Sequence, residues 1–168
     1  MGIQLIETIN VGSGGATSLE WLNIPQDGSD LMIQMSARGN DTNRNIGMRL
    51  YYNNDFTQGN YKFTNLVANG SGEFAGSGSF APPIQIQGDS STTNVFSSSS
   101  IYITNYAATS RKGLKSESIT ENNAALATMA ILSGQYTPTS PITRIKLVTD
   151  AVSFLQHSTA SLYKVTAD

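Results

Sequence analysis

The sequence predicts an all-β protein, folded as one domain over residues 1–168 into an antiparallel two-sheet sandwich or barrel. Three observations carry that prediction. Apolar residues return at every second position in run after run, the spacing of a strand with one buried face. Clusters of Gly, Asn, Asp and Pro break these runs every ~8–12 residues and leave no helical stretches for parallel crossovers. Ser, Thr, Asn and Gln supply 60 of the 168 residues and Gly another 15, whereas charged residues make up 13%, too few to solvate long helices or a coiled coil. The hydrophobic share is 39%, but its β-branched and aromatic residues sit in alternating register, which argues against disorder.

The first strand follows from Ile3, Leu5, Glu7, Ile9 and Val11 alternating with Gln4, Ile6, Thr8 and Asn10. Gly12-Ser13-Gly14-Gly15 then permits a tight turn into a second strand over residues 17–24, so an opening hairpin is expected. Pro25 and Gln26-Asp27-Gly28-Ser29 end it, since proline lacks the ladder donor. Leu31, Ile33, Met35 and Ala37 mark a third strand with Met32, Gln34, Ser36 and Arg38 on its wetter face. Residues 39–45 have nothing apolar to bury and read as a polar loop. Met48, Leu50 and Tyr52 define the fourth strand, Asn53-Asn54-Asp55 a turn, and residues 61–67 the fifth strand.

Residues 68–80, rich in Gly and Ser, read as a long mobile loop that Phe74 and Phe80 could pin. The strand rhythm resumes at Ile84 and Ile86, and residues 95–105 form one long strand despite four consecutive serines. Residues 107–113 read as a polar basic turn, and residues 114–121 as a strand ending at Asn122-Asn123. The Ala, Leu and Met content of residues 124–136 suits a helix, but the alternation of Leu126, Thr128, Ala130 and Leu132, closed by Gly134 and Pro138, favours a strand. Strands over residues 143–149 and 160–165 complete a set of ten or so. No internal repeat is visible, which counts against propellers and solenoids.

Charge and cysteine usage narrow the function. The net charge is −2 and the ten basic residues are scattered, so the chain lacks the electrostatic footprint of a nucleic-acid binder. No apolar run approaches the ~18 residues of a membrane span, and residues 1–7 do not resemble a secretory signal. With no cysteine, disulfides, thiolate nucleophiles and Cys-ligated zinc are ruled out, and synthesis in a cytoplasm is the expectation.

The search for chemistry finds little that converges. His157 is the sole histidine, in a polar turn, so any Ser-His-Asp constellation would have to use it; a solvated loop histidine is the preferred reading. Gly-x-Ser-x-Gly is absent. Gly12-Ser13-Gly14 and Gly76-Ser77-Gly78 lack the lysine and helix of a phosphate loop. Asp41-Thr42-Asn43-Arg44-Asn45 begins like a calcium loop but has Ile46 and Tyr52 where Gly and Glu are required. Glu117 and Glu121 could share a strand face as an acid/base pair, but a solvated edge is the simpler reading. Trp21, alternating with Leu19, reads as core. Tyr51 and Tyr52 must face opposite ways, so one of them is available to a partner. No cofactor, metal or catalytic residue is expected, and the polar, weakly charged surface suits association.

Five pieces of sequence, Leu5-Ile6-Glu7-Thr8-Ile9-Asn10-Val11-Gly12-Ser13-Gly14-Gly15-Ala16, Leu22-Asn23-Ile24-Pro25-Gln26, Ile101-Tyr102-Ile103-Thr104-Asn105-Tyr106, Ser118-Ile119-Thr120-Glu121-Asn122-Asn123 and Ser161-Leu162-Tyr163-Lys164, resemble in order a family of small virion proteins of tailed bacteriophages. The resemblance implies a jelly-roll-like β-sandwich exposed on the particle, with no catalytic residues. Residues 26–30 are more acidic, and residues 112–115 more basic, than the family pattern. The expectation that follows is a capsid decoration (cement) protein, docked laterally on the major capsid protein as a homotrimer and made in the host cytoplasm. Lateral docking follows from a sequence that shows no shaft or coiled coil between Met1 and Asp168. The alternative is a tail-fibre or tailspike receptor-binding domain that reads host surface glycan through Asn40, Asp41, Asn43, Arg44 and whichever of Tyr51 and Tyr52 is exposed. A polysaccharide hydrolase is the remotest class, since it needs two carboxylates across a groove.

Overall fold

The computed structural model describes residues 2–121, 127–150 and 152–166. Twelve strands run through the described residues: β1 (Gly2–Asn10), β2 (Ser18–Trp21), β3 (Asp30–Ala37), β4 (Asn45–Tyr52), β5 (Tyr61–Ala68), β6 (Glu73–Gly78), β7 (Pro83–Gln87), β8 (Ser97–Ile103), β9 (Lys112–Glu121), β10 (Ala127–Tyr136), β11 (Ile145–Thr149) and β12 (Thr159–Thr166). They make two antiparallel sheets packed face to face, ordered β1-β12-β3-β8-β9-β10-β5-β6 and β2-β11-β4-β7. The fold is therefore an all-β sandwich.

Its connectivity is that of a jelly roll. The chain alternates between sheets through β1, β2, β3 and β4, and again through β7, β8, β11 and β12, giving the two four-strand sets β1-β12-β3-β8 and β2-β11-β4-β7. Two inserted hairpins, β5–β6 and β9–β10, add four strands to the edge at β8. The small sheet has no matching addition. Its edge strand β7 packs over β8 and β9, so β5 and β6 extend past it.

The period-two pattern places the core. Leu31, Ile33, Met35 and Ala37 of β3, Ile46, Met48, Leu50 and Tyr52 of β4, and Ile145 and Leu147 of β11 all point between the sheets and are buried. Beneath β7 the layer changes character. Ser97, Ser99, Ser116, Ser118, Thr120 and Thr128 are all buried there, and small side chains let the strand approach closely. Gln87 bridges the two layers: its amide donates to the Glu121 carbonyl at 2.7 Å and accepts from the Glu121 N–H at 3.0 Å, like one rung of a ladder.

Several expectations are corrected. There is no opening hairpin, because β1 pairs with β12 and β2 with β11; the turn at Gly12–Gly15 carries the chain from one sheet to the other, with Gly15 at φ 70°. Alternation in β1 is interrupted by a bulge between Leu5 and Glu7, which leaves Ile3 and Leu5 on the exposed face of an edge strand. Residues 68–80 are not one long loop. After a short turn they form β6, paired with β5 from Phe63↔Gly78 to Ala68↔Glu73. Phe80 does pack, 4.8 Å from Phe63, but Phe74 is exposed. The basic turn ends early, since Lys112 begins β9 and is buried, its ammonium donating to the carbonyls of Ala108, Ser110 and Thr139. Residues 127–136 are strand, as the alternation indicated. Asn122, Asn123 and residues 124–126 lie outside the described residues.

Candidate functional site

The polar loop of residues 39–45 is held by its backbone. Asn40 exchanges hydrogen bonds with Ser153, its N–H to the carbonyl and its Oδ1 from the N–H. Asp41 Oδ1 accepts from the N–H and Nδ2 of Asn43, a local turn rather than an open ligand set. From below, segment 88–91 props the loop: Gly88 N–H donates to the Arg44 carbonyl at 2.7 Å, and Asp89 N–H to that of Asp41 at 2.7 Å. That segment is fixed in turn by buried Arg38, whose guanidinium donates to the carbonyls of Asp89, Ser91, Thr92 and Val95 and meets the Asp89 carboxylate at 3.4 Å. Both terminal nitrogens of the fork find oxygens, which is what makes a buried guanidinium tolerable.

A polar cleft of about 230 Å³ opens beside this loop. One wall is Asn45 of β4 and Gln85 of β7; the other is Val67 of β5 and Thr128 of β10, with Asn69, Ser71 and Arg44 also lining it. It exists because the β5–β6 hairpin overshoots β7. Asn45 Nδ2 donates to Thr128 Oγ1 at 3.2 Å, which ties the two walls together. Asn45 Oδ1 and Gln85 Oε1 are buried and have no hydrogen-bond partner among the described residues. Each such acceptor costs about 1–3 kcal/mol unless something donates to it. Arg44 is exposed, whereas Arg38, Arg49 and Arg144 each hold a carboxylate, those of Asp89, Asp150 and Glu20.

The six sequence candidates do not converge. Asn40, Asp41, Asn43 and Arg44 share the loop, and only Arg44 reaches the cleft. Tyr52 is corrected from possible contact to core: it is 1% exposed, in an aromatic cluster with Tyr61 and Tyr136, because it shares the inward parity of Met48 and Leu50. Tyr51 is the partly exposed one, packed on Phe56 and Tyr61, six residues along β4 from Asn45 and therefore roughly 20 Å away. Asn45 was read in the polar loop but not as a contact, and Asn69, Gln85 and Thr128 were not singled out from the sequence. Isolated amides and hydroxyls on four separate elements carry no local signal.

The other motifs resolve simply. His157 is exposed in a turn at φ 73°. Trp21 is fully buried. Glu117 faces outward and pairs with Lys115 at 2.6 Å, while the Glu121 carboxylate accepts from the N–H and hydroxyl of Thr92. Among the described residues no three His, Cys, Asp or Glu side chains gather as a metal site. Among the same residues no helix is long and apolar enough to cross a membrane.

The outer face of the large sheet has two halves. On β1, β12, β3 and β8 the registered rows are mixed: Thr8–Ser161–Gln34–Ser100 is small and polar, with hydrogen bonds of 2.8 Å between Thr8 and Ser161 and 3.0 Å between Gln34 and Ser100, whereas its neighbour Leu5–Tyr163–Met32–Tyr102 is large and apolar or aromatic. On the inserted hairpins the rows turn apolar. Met129 stands between Ile119 and Ala68, and Ile131 between Glu117 and Leu66. Ile119 and Met129 are 56% and 50% exposed. No family model, no curated protein and no solved structure matches this chain.

Proposed function

We propose that this chain is a structural protein of a tailed-bacteriophage virion, a capsid decoration protein that docks on the outer shell of major capsid protein and stabilises it as a homotrimer, without catalytic activity. The observation that carries the reading is the two-part outer face of the large sheet. The exposed cluster of Leu66, Ile119, Met129 and Ile131 is a contiguous apolar patch of the kind soluble proteins reserve for contacts. Copies of this chain are its occupants, because Lys115 and Glu117 beside it supply both charges, which the next copy around a threefold axis can meet head to tail. On the other half the polar row Thr8–Ser161–Gln34–Ser100 beside the row Leu5–Tyr163–Met32–Tyr102 suits many weak contacts repeated across a lattice, where multivalency supplies the strength. The sequence resemblance supports the same setting.

The test is particle biochemistry. Purified virions should carry the protein on the head, in copy number comparable to the shell protein, and mild heating should release it together with shell stability. A few copies on the tail would instead favour the second reading, a receptor-binding domain, which the polar cleft beside residues 39–45 supports. Release of reducing sugar from polysaccharide by the isolated chain would overturn both.

A further inference from the structure

We infer that the cleft between Asn45, Gln85 and Thr128 binds a single carboxylated sugar ring. The recess of about 230 Å³ is smaller than a drug-sized pocket and fits one ring, not an oligomer. Its chemistry is specific in sign. Asn45 Oδ1 and Gln85 Oε1 are buried acceptors that lack donors among the described residues, and the hydroxyls of a sugar are donors at the right scale. Thr128 Oγ1 already accepts from Asn45, so its own proton is free to be given to a ring or hydroxyl oxygen.

Arg44 lines the same cleft, is exposed, and has no carboxylate partner among the described residues. Its planar fork matches a carboxylate at two points, which makes an acidic sugar a better fit than a neutral one. A bare phosphate fits poorly, because the two amide oxygens would face its negative charge. An apolar ledge completes the site: Val67 lines it, and Phe74, exposed by 59%, is the register partner of Val67 on β6 and so lies on the same sheet face. The C–H face of a pyranose packs on such a ring.

For its biological setting the inference rests on the receptor-binding reading, but its chemistry is tested on the isolated chain. Loss of sugar binding would sink the inference alone; the place of the protein on the particle decides the reading. The experiment is an NMR titration of the full chain with glucuronic acid, N-acetylneuraminic acid, glucose and inorganic phosphate. One of the two acidic sugars should shift the side-chain amide signals of Asn45 and Gln85 and the Nε–H signal of Arg44, saturating in the millimolar range, with glucose about tenfold weaker. Arg44→Ala, on an exposed loop, should bring the acidic sugar down to the level of glucose. Gln85→Met should weaken both sugars while leaving the remaining amide spectrum in place. The inference is overturned if no cleft signal moves at tens of millimolar, if phosphate competes equally, or if Arg44→Ala leaves the preference for acid intact.

Discussion

Asp55 shows how much a single side chain can organise. Its carboxylate accepts from the Thr57 N–H at 2.9 Å, Asn60 Nδ2 at 2.7 Å and the Tyr136 hydroxyl at 2.9 Å, while its carbonyl accepts from Tyr61. Partial burial pushes its pKa up, but those hydrogen bonds together outweigh the burial and hold it below the usual carboxylate value. A carboxylate depressed in the folded state adds stability in full above the unfolded value of about 3.9, and that stability is lost as pH falls through the folded value. Asp55→Asn should cost about 1–3 kcal/mol at neutral pH in urea unfolding and should remove part of the acid dependence below about pH 4. The tyrosines act in the opposite range. Burial raises the pKa values of Tyr52, Tyr61 and Tyr136, with Asp55 adding to the last. Their protons are retained on folding, so stability is complete below the unfolded value of about 10 and declines above it. A tyrosinate absorbance titration should show these three ionising together with unfolding.

At the scale of elements, the close approach of segment 88–91 to the 39–45 loop is set by one residue. A Cβ on Gly88 would lie 1.9 Å from the Asn43 carbonyl oxygen and 3.0 Å from that of Arg44, both backbone atoms that cannot swing aside. Gly88→Ala should therefore cost about 1–3 kcal/mol and loosen the loop, read by faster hydrogen exchange at the Gly88 and Asp89 amides. Strand positions were legible in the sequence wherever one face is apolar: β3, β4, β5 and β11 follow directly from every-second-residue spacing. What was not legible has a common cause. β6, whose sequence is EFAGSG, has no core to face because β7 stops short of it, so its pattern is that of a loop. The partners of β1 and β2 lie more than 100 residues away, and local turn chemistry says nothing of them. At the site, Arg44 was legible as part of a polar loop. So was Asn45, but Gln85 and Thr128 were not, since it is the overhanging hairpin that makes neighbours of them.

For the whole molecule, the inserted hairpins matter most: besides widening the large sheet to eight strands against four, they carry on its outer face an apolar surface that the fold does not use. If copies meet there, Ile131→Glu with Met129→Lys should convert the oligomer to monomer in sedimentation velocity, with a melting temperature within a few degrees of the parent because neither side chain packs in the core. A parent chain that is monomeric at every concentration would remove the patch from the assembly reading. Folding should be slow for the size of the chain, since β1 must find β12 and β2 must find β11 before either sheet closes. Refolding followed by the fluorescence of Trp21, the single and fully buried tryptophan, is expected on the millisecond-to-second scale. The pairing of β1 with β12 also brings Gly2 opposite Thr166, within about 5 Å, at the sheet edge remote from β6. A peptide joined at Gly2 or at Thr166 would leave the sheet beside the other of the two, away from both the cleft and the apolar rows of the hairpins. The same adjacency makes residues 2–166 a natural candidate for circularisation, with new ends cut at the 69–72 turn.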